Sequence, residues 1–194
     1  MIAAVVLAAG LSTRMGTPKM ILPWGQTTVI GQVVAAVAQA GADPILVVTG
    51  GAHAAVQAAL RGSPARPLYN PRHAEGGMLS SLQAGLAALD ARVQAALVVL
   101  GDQPQVQPQV IQAVIACRQE TGALLVAPSY RMRRGHPWLV GRPLWAEILN
   151  LDPGLTLKDF VNAHASLLHY VEVDTPAILL DLDTPQDYQA HRPK

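Results

Sequence analysis

At 194 residues, 51% of them hydrophobic and 14% charged, the chain has enough apolar material for one domain with a substantial core and too little charge for a disordered segment. A formal net charge of +1 provides no broad basic field for wrapping nucleic acid, so a small anionic ligand held locally is the better expectation. The apolar N-terminus lacks a basic flank and gives way at Gly10 to a charged glycine loop, and no run approaches the ~20 apolar residues of a membrane span, so neither secretion nor a membrane partner is expected. The single cysteine, Cys117, rules out an intramolecular disulfide and fits a reducing compartment, the cytoplasm; sharing a helical stripe with Val110 and Val114, it reads as core.

Ile2 to Ala9 is apolar on both pleat faces, as expected of a strand buried between two helix layers. From Gly10 onward the chain changes character. Gly10, Ser12, Arg14, Gly16 and Lys19 combine closely approachable backbone N–H groups with two cations, the chemistry that holds a polyphosphate. A Walker A loop requires four residues between its glycines, whereas five separate Gly10 from Gly16; a Rossmann fingerprint requires G-x-G-x-x-G and an immediate helix, whereas the next helical pattern begins near Thr28. The chain has three lysines, at 19, 158 and 194, against eleven arginines, so a lysine at 19 suggests a place for a compact ammonium.

Thr28 to Ala40 carries a wide apolar stripe through Val29, Val33 and Val37 and stops at Gly41, which predicts a helix. Pro44 to Thr49 reads as a second buried strand ending in Gly50-Gly51, Ala54 to Leu60 as a short helix, and Pro67 to Asn70 as a brief third strand. This alternation predicts an α/β fold: one domain over residues 1–194, three layers α/β/α, with a mostly parallel central sheet. Asn70 to Leu86 begins as a loop with paired Gly76-Gly77 and turns helical near Ser80, where Ser80 or Ser81 is the expected cap. Ala95 to Leu100 reads as the central strand, running into Gly101-Asp102-Gln103-Pro104. Ligands of open α/β sheets collect beyond strand carboxyl ends, and a carboxylate there beside a triphosphate is placed to bind Mg²⁺.

Pro108 to Glu120 predicts another helix closed by Gly122, and Ala123 to Pro128 another strand, followed by the arginine-rich loop Arg131 to Pro137. Pro143 to Leu149 reads as a helix, Asp152 to Lys158 as a turn into one, Leu168 to Val173 as a short strand and Ala177 to Leu182 as a final strand. Period two places Asp181 and Asp183 on one face. Thr184, Pro185 and Asp187 supply an N-cap, an N1 proline and a capping-box acid for a last helix, which leaves Asp183 at a strand end without a capping role.

Five segments in order, L-A-A-G-L-S-T-R-M-G-T-P-K with I-L-P-W-G, G-G-M-x-x-S, G-D-Q-P, R-G-H-P and D-x-D-T-P, resemble the MobA-like nucleotidyltransferases, and Ala-Ala-Gly at 8–10 resembles their molybdenum cofactor cytidylyltransferase branch. The resemblance implies a Rossmann-like fold of the nucleotide-diphospho-sugar transferase type and transfer of NMP, with CTP the favoured NTP, to a phosphorylated small-molecule acceptor of the molybdopterin type. It implies Mg²⁺ at Asp102 and Asp183 and catalytic roles for Arg14, Lys19 and Asp102. The nucleotide would be held by Leu7, Ala8, Ala9, Gly10, Ser12, Arg14, Gly16, Lys19, Gly77, Ser80 and Asp102, the acceptor by Arg134, Gly135, His136 and Lys158. A transient contact with a molybdoenzyme or its chaperone is implied as well. Thr156 stands where the family pattern Asp-x-Gly-Ala-Arg has its arginine, so either Lys158 supplies that charge or the acceptor differs. The same chemistry on a sugar or polyol phosphate, and a non-catalytic nucleotide sensor on the same fold, stay open; the missing fingerprint argues against a dinucleotide oxidoreductase.

Overall fold

Period-two alternation in the first strand decides the layering. In the computed structural model, which describes residues 1–12 and 15–193, β1 (Ile2–Ala8) is buried from Ala3 onward, and its successive side chains enter two different cores. Ala4, Val6 and Ala8 pack with Ile30, Val34, Val110 and Val114, while Ala3, Val5 and Leu7 pack with Leu82, Leu86, Trp145 and Phe160. A strand buried on both faces needs no polar side, which is why Ile2 to Ala9 reads as an unbroken apolar run.

A 3₁₀ turn over Lys19–Ile21 leads into a small hairpin, β2 (Pro23–Trp24) and β3 (Thr27–Thr28). Thr28 then caps α1 (Val29–Gln39), accepting from Gly31 N–H at 3.1 Å. Next come β4 (Ile45–Thr49), α2 (His53–Ala59), β5 (Arg66–Tyr69), α3 (Gly77–Ala87) and β6 (Ala95–Leu100). The second half holds α4 (Pro108–Thr121), β7 (Leu125–Tyr130), β8 (Arg133–Arg134) and β9 (Trp138–Gly141). It closes with α5 (Trp145–Leu149), α6 (Leu157–Ala163), β10 (Leu168–Glu172) and α7 (Pro185–His191). Cys117, on α4, is half-buried at the margin of the first core. Among the described residues no helix is long and apolar enough to cross a membrane.

The main sheet runs β10-β7-β9-β6-β1-β4-β5, with β8 paired to β7. Pairings β1 with β4, β1 with β6, β4 with β5 and β7 with β10 are parallel; β9 is antiparallel to both β6 and β7. The expected three-layer, mostly parallel architecture is therefore present, with two short strands in the main sheet, β8 and β9, that the sequence pattern does not predict. Trp138–Gly141 is only four residues long and fully buried, too short to display a period, and it follows the loop that the arginines dominate.

The segment Ala177 to Leu182 corrects the expectation of a strand. Pro176–Leu179 is a 3₁₀ helix, with Thr175 accepting from Ala177 N–H at 3.2 Å, and residues 180–183 pair with no strand. Apolar content alone produced the strand reading: Ala177 and Ile178 are buried in the first core without joining a ladder. The last helix starts as expected. Thr184 Oγ1 accepts from Asp187 N–H at 3.2 Å, and Asp187 Oδ2 accepts from Thr184 N–H at 2.8 Å.

Candidate active site

β1 lies between β4 and β6, and a cleft of about 550 Å³ opens beyond the carboxyl ends of these strands, where strand order reverses. Gly101 N–H donates to Leu7 O at 3.0 Å, and Leu182 N–H donates to Asp102 O at 3.1 Å. These two bonds bring the end of β1, the end of β6 and the C-terminal segment together.

At their junction sits the Lys19 ammonium, delivered by the 3₁₀ turn after the glycine loop. Its Nζ donates to Asp102 Oδ2 and, at 3.2 Å, to Asp183 Oδ1, while its backbone N–H donates to Ser12 Oγ at 3.2 Å. The Lys19 side chain is 10% exposed, Asp102 15% and Asp183 37%, so the cation is enclosed and the second carboxylate faces the opening. Burial works against the ammonium, but the Asp102 charge and the hydrogen bonds of Asp102 and Asp183 outweigh it and raise the Lys19 pKa above the ordinary 10.5. A third carboxylate, Asp181, lines the same cleft and accepts from Gln103 Nε2 at 2.8 Å. Burial, followed by the Asp102 charge, pushes its pKa up, with the Gln103 bond opposing.

Along the β8–β9 side the wall is formed by Arg134, Gly135 and His136. Gly135 N–H donates to Pro128 O at 3.0 Å, and His136 N–H to Ile178 O at 3.1 Å. A Cβ on Gly135 would fall 2.7 Å from the Ile178 Cβ, so only glycine lets this loop lie against the C-terminal segment. Burial, reinforced by the Arg134 charge, lowers the His136 pKa to about 4, leaving the ring neutral at pH 7. Arg134 Nη2 donates to Asn162 Oδ1 on α6 at 3.2 Å.

The opposite wall is built on Asn70, which is 1% exposed. Its N–H continues the β4–β5 pairing by donating to Thr49 O at 2.9 Å, and its side-chain Nδ2 donates to Ser80 Oγ at 3.0 Å and Ser81 Oγ at 3.2 Å. The loop 70–76 is thereby bolted to α3. Gly76 stands at the helix N-cap without a side-chain cap, and Gly77 follows with φ +54°. Helix formation thus starts three residues before the expected cap, and Ser80 and Ser81 serve inside it as acceptors for Asn70.

Residues 4–167 match the family model described as the MobA-like NTP transferase domain. The chain belongs to that family. It is 31% identical over 188 residues to the molybdenum cofactor cytidylyltransferase of Escherichia coli (strain K12), covering 95% of this chain and 92% of that one. Among solved structures it is similar to Rv0371c from Mycobacterium tuberculosis H37Rv, at 32% identity and TM-score 0.84, covering 97% of this chain and 96% of that one; the same protein has also been crystallised in complex with manganese. A redox name occurs among its relatives too: nicotine blue oxidoreductase of Paenarthrobacter nicotinovorans is 28% identical over 192 residues, covering 94% of this chain and 92% of that one.

Against the MobA-like pattern, the cleft is lined by Leu7, Ala9, Gly10, Lys19, Gly77 and Asp102, and by Arg134, Gly135, His136 and Asp183. Other expected residues stand elsewhere. Ala8 is buried beneath the cleft floor; Ser12 and Gly16, at φ +51° and +68°, shape the loop without lining the cleft. Arg14 lies outside the described residues. Ser80 and Ser81 are both buried and both accept from Asn70, and of the two it is Ser81 that lines the cleft; Lys158 is exposed on α6 and does not line it. Thr156 is the N-cap of α6, closing a capping box with Asp159. Sequence reasoning missed His73, Met78, Gln103 and Asp181 as lining residues. Asp181 was the most legible of these, sharing the face of Asp183; His73 carries no pattern of its own.

Proposed function

We propose that the chain, acting as one MobA-like domain, moves CMP from CTP to the phosphate of a molybdopterin-type acceptor and releases pyrophosphate. The observation that carries this reading is the convergence of Asp102 and Asp183, from distant parts of the chain, on one ammonium beside the glycine loop. Two carboxylate oxygens that share one cation at bonding distance have the donor chemistry for Mg²⁺, which takes one or two carboxylates and completes its shell with phosphate oxygens and water. Mg²⁺ held by Asp102 and Asp183 would supply charge neutralisation at the phosphates, as a Lewis acid.

In such a transfer an acceptor phosphate oxygen attacks the α-phosphorus, and the bond to the bridging oxygen breaks so that pyrophosphate leaves with its electron pair. No base is needed, since the attacking oxygen is ionised at neutral pH. What the chain supplies is position and fixed charge. Lys19, beside the glycine loop, would place its ammonium toward the departing negative charge, and Arg134 sets a cation on the acceptor wall. Neutral His136 adds shape and no charge.

The test incubates the protein with CTP, GTP, ATP or UTP, Mg²⁺ and a series of acceptors: molybdopterin, sugar phosphates and polyol phosphates. CTP- and molybdopterin-dependent pyrophosphate release, reduced at least ~100-fold by Asp102→Asn, is the expected result. Release with another acceptor would keep the chemistry and replace the substrate, and no release with any pair would remove the transferase reading. The redox-named relative favours a second reading, an oxidoreductase on this fold. Binding of NAD(P)H without pyrophosphate release from any NTP would select it.

A further inference from the structure

The cleft lining divides by element. The part contributed by the Lys19–Ile21 turn, the end of β6, β8 with the loop after it and the C-terminal segment carries Lys19, Asp102, Arg134, His136, Asp181 and Asp183; the part contributed by the end of β1, the loop after residue 70 and the start of α3 carries Leu7, Gly10, Gly77, Met78, Ser81 and one titratable side chain, His73. A phosphate chain belongs at the first, and the flat, largely uncharged base belongs at the second. His73 is held there tightly. Its N–H and its ring Nδ1 both reach Asn70 O, at 3.2 and 2.9 Å, and its ring lies over the backbone of Gly50, where a Cβ would fall 2.7 Å from the ring carbons and 2.5 Å from Ala9 O.

A carbonyl oxygen only accepts, so Nδ1 carries the hydrogen, and in the neutral ring Nε2 is left as a lone-pair acceptor. Nε2 has no protein partner within hydrogen-bond distance among the described residues. Asn70 itself is buried and bonded through N–H, O, Nδ2 and Oδ1, so the carbonyl that fixes the tautomer cannot turn away. We propose that His73 is a base-reading residue: its Nε2 accepts a hydrogen bond from the exocyclic amine of the base and disfavours a carbonyl oxygen at the same place. This rests on the nucleotide reading above and deepens it. Cytosine and uracil have the same outline and differ there, amine against oxygen. A uracil would set an acceptor against an acceptor, leaving both unpaired.

Two substitutions separate this role from support of the loop. The amide of His73→Asn reaches only the position of Nδ1, so it keeps a donor for Asn70 O and loses the acceptor; the longer side chain of His73→Gln carries an amide oxygen to the position of Nε2. Dissociation constants of CTP and UTP with Mg²⁺, measured by calorimetry on all three proteins, give the answer, with melting temperatures recorded to establish that each variant is folded. The parent is expected to bind CTP about tenfold or more tightly than UTP, His73→Asn to bring the two within about threefold, and His73→Gln to retain most of the preference. Equal binding of CTP and UTP by the parent, or an unchanged preference in His73→Asn, would overturn the role of His73 while leaving a nucleotide site intact. Absence of binding by any NTP would overturn the site and His73 together.

Discussion

Replacing Lys19 by Met removes a cation that Asp102 and Asp183 both engage and puts an apolar side chain of similar length in its place. The Lys19 to Asp102 contact is a charge-assisted hydrogen bond between side chains 10% and 15% exposed, of a kind that contributes about 1.5–3 kcal/mol. The bond to Asp183 faces the opening, at 37% exposure, and adds less than about 1 kcal/mol. Methionine escapes the burial penalty of the ammonium, which offsets part of the loss. A net destabilisation of about 2 kcal/mol follows, or roughly 4–8 °C in melting temperature for a chain of this size. Asp102 and Asp183 stay behind as two carboxylate donors for a divalent cation. Mg²⁺ or Mn²⁺ at about a hundred times its dissociation constant adds ~2.7 kcal/mol, enough to return the variant to the stability of the metal-free parent. Because the Lys19 pKa is raised in the fold, its contribution is complete below the unfolded value of about 10.4 and is lost only as pH rises through the folded one. The gap between parent and variant should therefore be flat from pH 7 to 9. Differential scanning calorimetry with and without metal measures both quantities. A variant as stable as the parent without metal, or one that metal stabilises no more than it does the parent, would refute the reasoning.

Gly135→Ala forces a methyl group against Ile178 and must part the β8–β9 loop from the C-terminal segment; overpacking of this kind costs about 1–3 kcal/mol, read from the shift of a urea midpoint at constant slope. His136 binds its proton near pH 4 in the fold and near 6.5 in the unfolded chain, so the fold is opposed as pH falls through that interval. His136→Gln is expected to remove up to about 3 kcal/mol of that acid-side loss while changing stability little at pH 7; parallel slopes for parent and variant between pH 4 and 6.5 would contradict the burial of this ring.

How far the sequence discloses this molecule depends on whether a residue's role is local. The strand read over Ile2 to Ala9, the helix read over Thr28 to Ala40, the stop at Gly122 and the capping box at Thr184 and Asp187 all depend on neighbours within a few positions, and each is found, the first two at Ile2–Ala8 and Val29–Gln39. The Thr-Pro pairs at 175–176 and 184–185 both start a helical turn with the threonine accepting from the chain ahead. Only the second was legible, because the apolar run after the first imitates a buried strand. Long-range roles left fainter traces. Asp102 could be placed beside the cleft from its position after an apolar strand, but nothing local to Lys19 shows that its ammonium lies against that carboxylate. Ser80 and Ser81 look alike in the sequence and both accept from Asn70; only the turn of α3 puts Ser81 in the cleft lining. His73 became readable only when a carbonyl fixed its tautomer.

The segment that carries Asp183 adds nothing to the sheet. It is held by side-on bonds: Leu182 N–H to Asp102 O, His136 N–H to Ile178 O, Gln105 Nε2 to Leu180 O and, from α7, Tyr188 Oη to Pro23 O at 2.6 Å. During synthesis every strand of the sheet, Lys19 and Asp102 are therefore already part of the chain before the second carboxylate is added. A chain cut after Glu172 would keep every strand of the sheet and half of the cation site, and would lose Ala177 and Ile178 from the first core and Leu182 from its packing with Trp24 and Val29. The second carboxylate thus arrives on the same segment that closes the core, so completing the site and completing the packing are one step.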